Sequence, residues 1–295
     1  MRAKTRSLLA VLLSLALLLA ACSGGVGTDD DRSTDGEQSS QGEPPSGGDG
    51  RKVLTVAALA EPETIYPNLT EGTWEELIEA QLFAAMIEVS PNYEILPGIA
   101  ESWEWDESTL TYTFHLRDDV YFHDGEKLTA EDVIWTLKYA MHPDYDGVRY
   151  TLYQNIAGAE EYRSGQADDV AGLSAPDERT VKIQLKEKDA SALIYVAGTG
   201  ILPKHVYEPY VQQHGIPALR GAHKDIKPIG SGPFKFKEWK PGEWIVLDKN
   251  EQFYRDESEV THEGQVTVPK MDELRIRFIP DADAAFQALQ SGEVD

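Results

Sequence analysis

Thr111-Tyr112-Thr113-Phe114-His115-Leu116-Arg117, then Phe122-His123-Asp124-Gly125, then Leu128-Thr129-Ala130-Glu131-Asp132-Val133 gives a strand, a turn and a helix start in quick succession. Leu110, Tyr112, Phe114 and Leu116 alternate with polar residues, the pattern of a strand buried on one face. Phe122 to Gly125 reads as a tight turn, with Gly125 supplying a backbone shape that other residues resist. Thr129 with Glu131 and Asp132 behind it is capping-box-like. Val133, Ile134, Leu137, Ala140 and Met141 then form the buried stripe of a helix. That helix stops at or near His142, because Pro143 disfavours helical backbone in the residue before it. The fold class is therefore mixed α/β.

The same grammar extends outward. Lys52 to Leu59 reads as a first strand, and Trp74 to Val89 as a helix burying Leu77, Ile78, Leu82, Ala85 and Met86. Arg179 to Leu185 alternates as a strand, and Ala190 to Val196 and Lys204 to Gln213 are short helices. Gly230-Ser231-Gly232-Pro233 opens a hairpin whose arms are Phe234-Lys235-Phe236 and Trp244-Ile245-Val246-Leu247, with Pro241-Gly242 as the turn. Leu274 to Phe278 is another strand. Asp281 caps a last helix running through Leu289, and Gly292 is its C-cap.

The N-terminus carries a different signal. Arg2, Lys4 and Arg6 precede an apolar run from Leu8 to Leu19, and Leu19-Ala20-Ala21-Cys22 ends in the only cysteine of the chain. Such a run is an export signal, too short for a comfortable membrane span. The last four residues resemble the bacterial lipobox, which implies a signal peptide over 1–21 and a lipid on Cys22. Residues 22–50 are the lipidated cysteine and a Gly/Ser-rich acidic tether that cannot bury enough surface to offset its ordering entropy. A flexible coil of that length reaches about 30 Å.

The formal charge is −24 over 295 residues. Such a surface repels phosphate backbones, which excludes nucleic acid as a partner. The seven histidines show no HExxH or close pairing, so no metal site is expected. His123 and Asp124 are read as turn-stabilising. Ser231 lacks the nucleophile elbow, and Gly230 to Pro233 lacks the Gly-Lys-[Ser/Thr] of a phosphate loop. No enzyme activity and no cofactor follow. Asn68-Leu69-Thr70 matches a glycosylation sequon by coincidence.

Taken together, Gly98-Ile99-Ala100-Glu101-Ser102-Trp103, the strand, turn and helix blocks above, Gly230 to Phe234, Trp239, Pro241-Gly242-Glu243 and Gly292-Glu293-Val294-Asp295 resemble, in order, the landmarks of the family 5 extracellular solute-binding proteins. That family comprises the oligopeptide, dipeptide and nickel binders of ABC importers. The resemblance implies the two-lobe, type II periplasmic-binding-protein-like fold. Residues 51–295 would form lobe I: 51–90 with 225–295 as the base and 91–224 as an appended subdomain. The second lobe would be missing, the chain stopping at the hinge.

The implied function is capture of a peptide, or of another small solute such as a nickel chelate or sugar, and its delivery to ABC permease and ATPase subunits. An anchored hydrolase and a non-transporting sensor are the readings from other classes. The implied location is outside the cytoplasm, held to the cell membrane by the lipid on Cys22. The implied ligand contacts are Glu71, Gly72 and Thr73, where peptide backbone would pair with the chain, then Tyr150, and Ser231 at the base of the cleft. Glu71 reads equally well as a solvated acid favoured by a helix N-terminus. Half of a two-lobe cleft is expected to hold peptide far more weakly than the whole.

Overall fold

The computed structural model describes residues 50–90, 92–255, 260–261, 265–266 and 269–295. The expected signal peptide (1–21), Cys22 and nearly all of the tether lie outside the described residues.

Two four-stranded sheets organise the chain. In the first, β1 (Val53–Ala58) lies parallel to β12 (Glu273–Phe278), which runs antiparallel to β9 (Trp244–Lys249), and β9 pairs with β8 (Phe234–Lys240). The β8–β9 hairpin turns at Pro241-Gly242, with Gly242 at φ +74° as the turn requires. The second sheet is antiparallel, in the order β4 (Ala100–Asp106), β5 (Thr111–Leu116), β7 (Thr180–Gln184), β6 (Leu173–Asp177). The expected alternation holds on it: Phe114, Leu116, Val181 and Ile183 are buried. Helix α2 (Ala130–Met141) packs on β6 and β7 with Val133, Leu137, Ala140 and Met141 inward.

Asp132 fixes the start of α2 and of a second helix at once. Its Oδ2 accepts from the backbone N–H and hydroxyl of Thr129, at 2.9 and 3.0 Å. Its Oδ1 accepts from the backbone N–H of Lys204, at 2.9 Å, the first residue of α6 (Lys204–His214). Short helices α3 (Tyr150–Tyr153), α4 (Ala159–Arg163) and α5 (Ala192–Ala197), a 3-10 segment (Ile216–Lys224) and the small pair β10 (Val260–Thr261) and β11 (Gln265–Val266) complete the path before α7 (Ala282–Ser291). Asp281 and Gly292 cap α7 as expected.

One expected element is corrected. The helix read over Trp74 to Val89 is α1 (Thr73–Leu82), and Ile87–Val89 is instead strand β2, paired with β3 (Ile95–Pro97). The cause is tertiary. The carbonyls that a longer helix would need are taken by distant N–H groups: Leu82 by Gly232, Ala84 by Ile201, Ala85 by Ile99, and Met86 by Gly98 and Ala100, at 2.9–3.0 Å. Met86 is buried, as the apolar periodicity implied, while Ala85 is half-buried in a β-bridge with Gly200. Leu77, expected inward, is 36% exposed.

Candidate functional site

The site is built on the loop that leads into α1. Gly72, the N-cap, is extended at φ −112° and ψ 154°. Its N–H and that of Glu71 both donate to Glu75 Oε2, at 3.0 and 2.8 Å, and its carbonyl accepts from the Glu76 N–H at 3.0 Å. Extended backbone turns the flanking groups to the opposite side. The Glu71 carbonyl and the Thr73 N–H therefore point the same way, and neither has a hydrogen-bond partner among the described residues. An acceptor and a donor on either side of one extended residue are what a parallel strand engages.

The loop is held from behind. Asn68 is 2% exposed and sits at φ +69°, a conformation asparagine tolerates. Its Oδ1 accepts from the Tyr153 hydroxyl at 2.5 Å, and its carbonyl accepts from the Tyr145 hydroxyl. The Leu69 carbonyl accepts from Arg220 at 3.3 Å. Arg149 donates to the Thr70 carbonyl from Nε and Nη2, at 3.3 and 3.0 Å, and pairs with Glu76. The buried, engaged Asn68 amide is consistent with reading the sequon as coincidence.

From here a groove of about 600 Å³ runs along α1, lined by Glu76, Glu79, Arg149, Thr199, Pro233 and Phe253 among others. Glu79 is half-buried in it. The Thr70 hydroxyl donates to its carboxylate, and the nearby Gly200 backbone also favours the charged form. Burial nevertheless pushes the carboxyl up to about 7, against the pull of those groups and of Arg149.

The expected contact residues are only partly gathered. Glu71, Gly72 and Thr73 are exposed together at the head of α1. Tyr150 begins α3 with its ring 5.0 Å from the Arg163 guanidinium, and it opens on a different hollow, with Asn155, Asp189 and Tyr195. Its neighbour Arg149 reaches the groove. Ser231 is 1% exposed, and its hydroxyl is sealed without a partner among the described residues. It lies beyond the far end of α1, whose ten residues span about 15 Å. Arg149 and Glu79 were not among the residues read from sequence. The one available signal was an acid beside Ile78 and one turn before Leu82, at the edge of the helix's apolar stripe.

His123 is a structural residue. Its Nδ1 accepts from the Gly230 N–H and its Nε2 faces the Gly232 carbonyl, both at 3.1 Å. That fixes a neutral ring protonated on Nε2, and burial lowers its pKa to about 4. Asp124 meets His205 at 2.8 Å. A second hollow of about 760 Å³ borders Glu61, His223 and Trp239. There the Glu61 carboxylate receives the Trp239 indole N–H at 2.8 Å and the Gly242 N–H at 2.9 Å, tying down the hairpin tip.

Comparison with known proteins places this arrangement. The chain is 30% identical, over 98% of its length, to the oligopeptide-binding protein AppA of Bacillus subtilis, of which it covers 46%. It superposes on the solved structure of that AppA in complex with a nonapeptide with a TM-score of 0.66 and 29% identity, covering 83% of this chain and 44% of that one. Campylobacter jejuni NikZ in complex with Ni(L-His) gives 0.66 and 28%, covering 82% of this chain and 42% of that one. The chain thus spans about half the length of the curated relatives it matches, and its fold is part of the type II periplasmic-binding-protein fold. The family description "Bacterial extracellular solute-binding proteins, family 5 Middle" matches residues 94–295. With its two sheets, its capped α1 and that match over most of its length, the chain belongs to the family 5 bacterial extracellular solute-binding proteins.

Proposed function

We propose that the protein is the peptide-capturing subunit of an ABC importer, anchored outside the cytoplasmic membrane by a lipid on Cys22 and passing its ligand to permease and ATPase subunits. In this reading 1–21 is the signal peptide and 22–50 the tether. Residues 51–90 and 225–295 form the base of the first lobe, and 91–224 form its appended subdomain. Peptide lies against Glu71, Gly72 and Thr73, near Tyr150, with Ser231 behind the cleft wall as a support.

The observation that carries the reading is the unused pair beside Gly72. The Glu71 carbonyl and the Thr73 N–H face outward, while the groups between them are spent on Glu75 and Glu76. Such a pair recognises what all peptides share, so it takes many sequences. The relative AppA, solved with a nonapeptide, supports peptide as the ligand class. NikZ, solved with Ni(L-His), supports a small chelate as the second reading.

Thr73→Pro separates the two. Proline at the first helical position costs the helix nothing, and the extended Gly72 before it suits a proline neighbour. The substitution removes the outward N–H together with an exposed side chain that makes no hydrogen bond among the described residues. Calorimetry with a nonapeptide should show intact stability and binding weakened by about 1–3 kcal/mol, the cost of leaving a ligand carbonyl unpaired. Unchanged affinity would remove backbone pairing at Gly72 from the mechanism, and no binding of any peptide would favour the chelate.

A further inference from the structure

Glu79 is an unusual residue for a groove wall. Its neighbour Glu76 already has a cation, the Arg149 guanidinium. Arg149 spends its remaining reach on the Thr70 carbonyl. Among the described residues no lysine, arginine or histidine forms a salt bridge with Glu79. One hydrogen bond, from the Thr70 hydroxyl, satisfies part of its carboxylate. A carboxylate withdrawn from water beside a cation already paired with Glu76 costs free energy that a neutral donor and that shared guanidinium recover only in part. One side of it remains open, and that side is the groove.

Position adds the second half. Glu79 lies six residues along α1 from Thr73, about 9 Å at the helical rise. An extended peptide covers that distance in about three residues. A ligand paired beside Gly72 and lying along the groove would bring a side chain two or three positions away over Glu79.

We infer that Glu79 is the specificity-determining residue of the groove, selecting ligands whose side chain or amino group brings it a positive charge of its own, which Arg149, paired with Glu76, does not give it. The inference rests on the reading of the groove as the peptide site. Ionising Glu79 in the empty fold is unfavourable, as its raised pKa of about 7 records, so a purely structural bracket would be better served by glutamine. The charged groups facing it are Glu76 on its own helix and Arg149 from the start of α3, with the Thr70 hydroxyl supplying a neutral donor. A cationic ligand stabilises the ionised form, so its binding releases the proton Glu79 carries below about pH 7 and strengthens as pH rises through 7.

The test is calorimetry on the full protein with Ala-Ala-Lys-Ala-Ala and its uncharged norleucine counterpart. The parent should prefer the lysine peptide by about tenfold at about pH 8, the preference shrinking severalfold at about pH 5.5 as Glu79 takes its proton. Glu79→Gln should lose the preference, binding the lysine and norleucine peptides with equal affinity. Equal preference in parent and variant overturns the inference and leaves the peptide reading standing, as does a parent preference that does not change with pH. Binding of neither peptide by the parent overturns both. If the variant fails to fold, the pH dependence in the parent decides alone.

Discussion

His123 is the residue through which acid reaches this fold. It clamps the Phe122–Gly125 turn to the Gly230–Gly232 entry of β8, accepting from one N–H and donating to one carbonyl. Protonation destroys the acceptor. Because its folded pKa, about 4, lies below the value near 6.5 of an unfolded chain, the unfolded state binds the extra proton first as pH falls. Stability is therefore complete above about 6.5 and lost progressively toward 4, by about 2–3 kcal/mol. His223, also lowered to about 4 by burial, titrates in the same window. The comparison that isolates His123 is thus parent against His123→Gln: thermal melts should show the parent losing more stability between about pH 7 and 4.5, and parallel curves would contradict the clamp. Glu79 runs the other way. Its folded pKa is raised, so its contribution falls as pH rises from the ordinary carboxylate range through 7. Glu79→Gln should therefore be more stable than the parent at about pH 8, by about 1–2 kcal/mol after allowing for its partial exposure, as read from urea unfolding.

At the scale of elements, the helix starts were legible because their signals are local. Thr129 and Asp132 announce α2 in four residues, and the structure adds that Asp132 also holds Lys204 at the head of α6. Asp132→Ala removes both caps and leaves buried N–H groups unpaired. It should cost about 2–4 kcal/mol in chemical denaturation, whereas a loss below about 1 kcal/mol would mean that the second bond carries no weight. The end of α1 was illegible for the opposite reason. Nothing near Phe83 stops a helix; the stop comes from N–H groups at positions 98–100, 201 and 232 that claim its carbonyls. Close approach of the two backbones explains why glycine stands at 230 and 232: a Cβ there would fall 2.0 Å from the Leu82 carbonyl oxygen and 2.5 Å from that of Gln81. β4 was passed over as a strand because it is a sheet edge. Trp103 and Trp105 alternate with acids, but both are only half-buried. The candidate site divides in the same way. Glu71 to Thr73 were found as a motif, while Arg149 enters the groove only through contacts spanning 73 and 79 residues, and Glu79 through a depth that no local pattern encodes.

For the whole molecule, the proposed reading has a ligand held between two walls, of which residues 51–295 supply one. A single wall offers the Gly72 pair and the groove but cannot exclude water from the other side, and association has already cost rotational and translational freedom. Peptide binding by residues 51–295 alone should therefore be weaker than micromolar in calorimetry. Micromolar or tighter affinity would mean that the first lobe is a complete site. The central claim, that peptide pairs with backbone beside Gly72, is tested most directly by amide hydrogen exchange at three consecutive residues, with and without a saturating peptide, on the full protein. Glu71 and Gly72, already bonded to Glu75, should be protected in both states, while Thr73 should exchange freely alone and become protected when peptide is bound. Free exchange at Thr73 with peptide saturating the protein would contradict the account.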